Sequence, residues 1–261
     1  MNTWNRIVCI MMMFIIVGTL VSCGKKETKE NQVIIYAAAS MTESLSDAVE
    51  EINEKYPDIE ICVSFNSSSK LRLQIEQGAD VDIYISASKS QYNKLKEKIQ
   101  IEKDKEFLSN EIVIAANNRN AIEKWNDIQG NYKVLKAEDQ VPAGEYAIRL
   151  LENLDAIEKG FSDKVLRNVV SEEINVKQVV NKLYLGEGDV GFIYNTDLTE
   201  KVKDKLYKLK VPEAMKVKSN YYICLLKKQD ESSKIYNELI SDDIQKIFCK
   251  YGFSSPKNSQ E

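Results

Sequence analysis

The 261 residues contain no histidine. Histidine is the usual general base and metal ligand near neutral pH, so its absence removes His-dependent triads and His metal sites together. Cys9, Cys23, Cys62, Cys224 and Cys249 show no CxxC spacing, which argues against a structural zinc. Basic charge is not in excess either. The formal net charge is −4, with Lys and Arg spread among the acids, so nothing favours a nucleic-acid partner. There is no internal repeat and no low-complexity linker within the body. No apolar run is long enough for a membrane span, since residues 7–21 supply only fifteen.

What is present begins with that short run. It follows Arg6 and ends at Leu20-Val21-Ser22-Cys23, which reads as a signal peptide over 1–22 with a bacterial lipobox. Cys23 is then the expected lipidation site, and residues 23–32 a polar tether with no reason to fold. The plain alternative is an uncleaved N-terminal anchor. Either way the body works outside the cytoplasmic membrane. That body is long enough for two medium domains with cores of their own. Cys62 and Cys224 lie in apolar strand patterns and read as small hydrophobes.

Residues 33–39 read as a buried strand that stops on Ser40. Leu45, Ala48, Val49, Ile52 and Tyr56 then share one helical stripe ending at Pro57, and Ser40 with Glu43 fits a capping box. Ile59, Ile61, Val63 and Phe65 alternate as in a strand. Three serines lead into a short helix over 70–77, stopped by Gly78; residues 82–86 make a third strand, and Tyr92, Leu95 and Ile99 mark another helix. Strand and helix in alternation predict a parallel sheet with helices on its faces. Ligands of such sheets sit at the carboxyl ends of the strands, where both serine clusters fall.

Further on, 111–116 reads as a strand crossing into a second domain and 132–135 as a strand within it. Val141-Pro142-Ala143-Gly144 opens a helix, with proline where its missing N–H costs nothing. Asn175 is placed to cap a helix carrying Val176, Val179, Val180 and Leu183. Residues 190–194 form a buried strand, 206–211 another candidate, and 220–226 a strand leading back before two final helices. The two domains are expected to exchange chain through crossing strands.

A strand that ends where a helix begins offers unpaired N–H groups and the positive end of the helix dipole. With hydroxyls in place at Ser40 and Ser68, two such ends suggest an oxyanion held by neutral donors. An N-cap serving only its own helix is the equal alternative for each serine, and Tyr194, closing a buried strand, reads from position alone as a core residue with its hydroxyl at the rim more often than as a ligand. Ser67 and Lys70 match the SxxK of serine acyl enzymes, but no KTG or SDN triplet follows, and Lys70 reads as solvated. Residues 186–191 match GxGxxG with a helix before and a strand after, the reverse of the dinucleotide fingerprint.

Taken together, AAAS at 37–40, the helix TESLSDAVEEI, FNSSSKLRLQIEQGADVDIYISA at 65–87, VPAGEYA at 141–147, GFIYNTD at 191–197 and KIFCKYGF at 246–253 resemble the substrate-binding protein of molybdate ABC transporters. The resemblance runs from about Val33 to Phe253. It implies an α/β, two-lobed, periplasmic-binding-protein-like fold of type II. Each lobe would be a mixed, mainly parallel sheet flanked by helices, with the ligand cleft between lobes. The lobes would comprise 33–114 with 217–253, and 115–216, leaving 254–261 as a tail.

The resemblance also implies a site: the hydroxyls of Ser40 and Ser68, the backbone N–H groups of Ala143 and Val176, and Tyr194. The metal would be bound as its oxyanion, with no direct metal ligand and no cofactor. The implied protein is a monomer and not an enzyme. It would capture molybdate, and tungstate with it, for the permease subunits of an ABC importer, held at the cell membrane by lipid on Cys23. Four of the five residues lie at predicted helix starts, which at about +0.5 each sum to about +2 and match a dianion. The same fold tuned to sulfate or phosphate is the neighbouring reading, although hydrogen phosphate would call for a carboxylate acceptor that the matched positions lack. A serine acyl enzyme at Ser67 and Lys70 is the remote one.

Overall fold

The computed structural model describes residues 31–117 and 122–255. The expected signal peptide and lipidated Cys23 lie outside them, as does the tail beyond Ser255. The first strand, β1 (Gln32–Ala38), buries Val33, Ile35 and Ala37 by alternation. A 3-10 turn over Ala39–Met41 leads into α1 (Thr42–Lys55), whose stripe Leu45, Ala48, Val49 and Ile52 faces the core. Next come β2 (Glu60–Asn66), α2 (Ser68–Glu76), β3 (Ile83–Ser86) and α3 (Lys89–Lys96). β1 and β3 pair in parallel, Ile35 opposite Ile83, as strand–helix alternation requires.

A long strand, β4 (Lys103–Asn117), then leaves this group. The remaining elements are β5 (Val134–Ala137), α4 (Pro142–Asp155), α5 (Phe161–Leu166), β6 (Val169–Glu173), α6 (Val176–Leu185), β7 (Val190–Tyr194), β8 (Leu206–Lys208), β9 (Val217–Leu225), α7 (Asp230–Leu239) and α8 (Asp242–Lys250). The sheet runs β2-β1-β3-β9-β4-β7-β5-β6, with β8 also on β4. Its two flanks are parallel, β1 with β3 and β5 with both β6 and β7. Between them β9 and β4 run antiparallel, from Lys103 opposite Leu225 to Ile112 opposite Val217. These two strands tie the flanks into one unit from Val33 onward.

Several expectations need correction. The strand expected at 111–116 begins eight residues earlier, at Lys103. Its first part, Lys-Asp-Lys-Glu, shows no apolar alternation because backbone pairing with β9 holds it and its side chains stay largely in solvent. Serine 40 does not cap α1 and forms no capping box with Glu43. The N-cap position is Met41, without a side-chain bond, because the chain makes a 3-10 turn first. The second helix begins at Ser68, two residues before expectation. α5 and β6 had no counterpart in the reading. Asn175, by contrast, caps α6 by accepting the Gln178 N–H at 3.2 Å.

Candidate functional site

The ends of β1, β3 and β7 and the starts of α2, α4 and α6 converge on one small cavity. Ser40, Ser68, Ala143, Val176 and Tyr194 all line it, and no lining residue is charged. Its volume is about 10 Å³ counted as room for the centre of a water-sized sphere, close to what one water needs. A larger hollow of about 570 Å³ beside β4 and α8 presents Lys105, Glu106, Asp242 and Lys246, charges of both signs, and includes none of the five.

Each donor can be built from its local structure. Pro142 occupies the first position of α4 and has no N–H, so Ala143 carries the first N–H of that helix. Gly144 makes this start possible. A Cβ there would lie 2.5 Å from the Ala137 carbonyl oxygen and closer still to that of Glu138, so only glycine lets α4 begin against the end of β5. Val176 opens α6; the Asn175 side chain serves the Gln178 N–H and leaves that of Val176 without an intrahelical partner. Ser68 opens α2, which has no side-chain cap. Its Oγ accepts the Ala87 N–H at 2.9 Å, and its carbonyl accepts the Tyr84 hydroxyl at 2.9 Å. With one Oγ lone pair engaged by the Ala87 N–H, the Ser68 hydroxyl keeps its proton to donate.

Ser40 sits in the 3-10 turn, its Oγ 2.7 Å from the Tyr221 hydroxyl. Three helices of nine, fourteen and ten residues therefore aim their starts here, not four. Their summed dipole charge is about +1.5 before screening. Tyr194 closes β7 and is 1% exposed, and its hydroxyl is among the few buried polar atoms without a hydrogen bond. Burial pushes its pKa well above 10, with Tyr221 and Tyr146 adding to the effect and the neighbouring Ser219 hydroxyl opposing it, so it stands as a neutral donor. A buried hydroxyl without a partner is costly, and a ligand that accepts from it removes that cost.

Contacts also join the two walls beside the cavity. Lys177, next to Val176, reaches Glu43 of α1 at 2.6 Å and the buried Asp197 at 2.9 Å. Burial works against the Lys177 charge, yet the Asp197 and Glu43 carboxylates hold its pKa above the usual value. Burial raises that of Asp197, and Lys177 opposes the rise. Ser88 donates to Glu145 at 3.3 Å across the same gap. The sequence offered no signal for Lys177 or Asp197, which look like ordinary surface charges.

The other motifs resolve simply. Lys70 is exposed and no hydrogen bond joins it to Ser67. Gly186 ends α6 in the left-handed region at φ 81°, so the GxGxxG match is a helix stop before β7. Among the described residues no disulfide links Cys62, Cys224 and Cys249, no cluster suits a metal ion, and no helix is long and apolar enough to cross a membrane.

The profile of the bacterial extracellular solute-binding proteins matches residues 33–254. The chain belongs to that family. The molybdate-binding protein ModA of Haemophilus influenzae is 30% identical over 237 residues, covering 86% of this chain and 90% of the relative. ModA of Mycobacterium tuberculosis H37Rv is 28% identical over 229 residues, 83% of this chain and 84% of its own length. The solved periplasmic molybdate-binding protein of Azotobacter vinelandii superposes with a TM-score of 0.73 over 86% of this chain and 99% of that one. At 15% identity, that likeness speaks for the fold alone: a mixed α/β sheet with flanking helices, as in periplasmic binding proteins.

Proposed function

We propose that this protein is an extracytoplasmic solute-binding lipoprotein that captures molybdate, and tungstate with it, and delivers the anion to an ABC importer. The observation that carries the reading is the buried Tyr194 hydroxyl, which makes no hydrogen bond, on a residue that lines an uncharged cavity together with Ser40, Ser68 and the helix-start residues Ala143 and Val176. Such a site presents hydrogen-bond donors and no carboxylate, which suits a fully deprotonated tetrahedral oxyanion. The two ModA relatives support the choice of molybdate. The sequence around Cys23 supports a lipid anchor, and the permease is the expected partner of a monomer that performs no reaction of its own. The lobes are 33–114 with 217–253, and 115–216. Because the cavity has room for about one water, the lobes open to admit the anion and close on it, with Lys177 and Glu43 meeting across the gap.

The test is thermal unfolding of residues 25–261 with molybdate, tungstate, sulfate or phosphate at matched ionic strength. A ligand at 100 times its Kd stabilises by about 2.7 kcal/mol, a rise of roughly 5–10 °C at this size. Molybdate and tungstate are expected to give it and sulfate not. A shift with sulfate or phosphate alone overturns the substrate, and none with any anion overturns the site.

Tyr194→Phe separates binding from folding. Without anion the variant should be as stable as the parent or up to about 1 kcal/mol more so, since it removes an unsatisfied buried hydroxyl. Molybdate affinity should fall by roughly ten- to a hundredfold, the worth of a hydrogen bond to a charged group. Calorimetric titration beside urea unfolding reads both. Unchanged affinity would remove Tyr194 from the ligand shell.

A further inference from the structure

Behind Ser40 lies a buried relay. The Tyr221 hydroxyl, on β9 and fully buried, is 2.7 Å from Ser40 Oγ. Asn110, on β4, donates its amide to Tyr221 at 3.3 Å and to Thr196 Oγ1 at 2.8 Å. Its carbonyl Oδ1 accepts the Glu111 N–H at 2.8 Å, which fixes which way the amide faces. Toward Tyr221, Asn110 is therefore a donor, and the phenolic oxygen must accept. The one phenolic proton then has Ser40 Oγ as its acceptor. In the reverse order Ser40 would donate to Tyr221, and the phenolic proton would have no partner among the contacts it makes. A buried unpaired donor is disfavoured, so the order runs Asn110 to Tyr221 to Ser40.

We propose that Tyr221, set by Asn110, is a positioning residue that determines specificity. It keeps Ser40 a donor toward the cavity and so confines the site to oxyanions that carry no proton. This rests on the oxyanion reading above. Ser68 is set the same way by the main-chain N–H of Ala87, which no side-chain substitution removes. The Ser40 end depends on a side chain and can be undone. Without Tyr221, Ser40 is free to turn its proton away and accept one from hydrogen phosphate.

The experiment is calorimetric titration at pH 8 with molybdate and inorganic phosphate, on the parent protein, Tyr221→Phe, Ser40→Ala and the double variant. The phenylalanine ring keeps the edge contacts with Tyr194 and Phe253. Tyr221→Phe is expected to weaken molybdate about tenfold and to narrow the molybdate-to-phosphate ratio by at least as much. In the Ser40→Ala background its further effect should vanish, since Tyr221 acts through Ser40. An unchanged ratio, or an equal loss in both backgrounds, overturns the proposal and leaves the site reading intact. If the parent binds no oxyanion, the site reading falls and this proposal with it. Should Tyr221→Phe fail to fold, Asn110→Asp reverses the proton order at nearly constant size, and it too must narrow the ratio; an unchanged ratio there overturns the proposal.

Discussion

Lys177→Met is expected to destabilise the protein by about 3–5 kcal/mol at pH 7.5, the usual cost of leaving a buried charge without its partner. Asp197 is 1% exposed and pairs with Lys177 at 2.9 Å. Glu43, the other partner, is partly exposed and regains water easily, so most of the loss falls on Asp197. The pH dependence identifies the cause. Burial already raises the Asp197 pKa above 3.8 and Lys177 lowers it, so the variant raises it further. A carboxyl whose folded pKa is raised binds its proton more readily in the native state. Its contribution is present at low pH and is lost as pH climbs above 3.8 toward the folded value. The Lys177 pKa is itself raised above 10.5, so the lysine stays charged in the parent throughout this range. The penalty should therefore shrink between pH 7.5 and pH 5. Urea unfolding at the two values checks it, and a penalty independent of pH would show that Asp197 does not bear the cost.

The second large effect is Gly144→Ala, one methyl group. That carbon would press on two main-chain carbonyl oxygens, of Glu138 and Ala137, which cannot rotate away as a side chain can. α4 must back off from the end of β5, at a cost of about 1–3 kcal/mol or more for overpacking. The Ala143 N–H moves with it, away from the cavity. Both readouts should respond: the melting temperature without anion, and the shift produced by molybdate, which should be largely abolished. Ala147→Ser, a similar change in size within the same helix, would serve as the comparison, since Ala147 does not line the cavity. A retained molybdate shift in Gly144→Ala would mean the helix start does not hold the anion.

How much of this was visible beforehand depends on what each residue answers to. Elements defined by their own side chains were legible: the stripe of α1, the buried run of β7 and the Asn175 cap all encode burial or capping locally. The convergence of three helix starts followed from strand order and motif, because serine, Pro-Ala-Gly and Asn-Val sit where strands end. What escaped is held by residues far away in sequence. The first half of β4 owes its form to β9, so its charged residues gave no strand pattern. Ser40 looked like a cap because the partner that occupies its hydroxyl, Tyr221, is 181 residues on. The chain placed Lys177 and Asp197 in ordinary polar surroundings, and only packing of α6 against the end of β7 buries them together.

The central pair of strands also fixes an order in time. β3 is buried along its whole length between β1 and β9, with Ile83 opposite Leu225. While the chain is being made, β1, β2 and β3 emerge long before the strand that must cover the outer edge of β3. Until β9 arrives, that apolar edge offers open backbone groups and invites pairing with other chains. The long wait for a distant partner also slows the final step of folding. A chain cut short before Val217 would keep both flanks of the sheet and lose the strand that joins them, leaving an aggregation-prone remnant in place of a smaller folded protein.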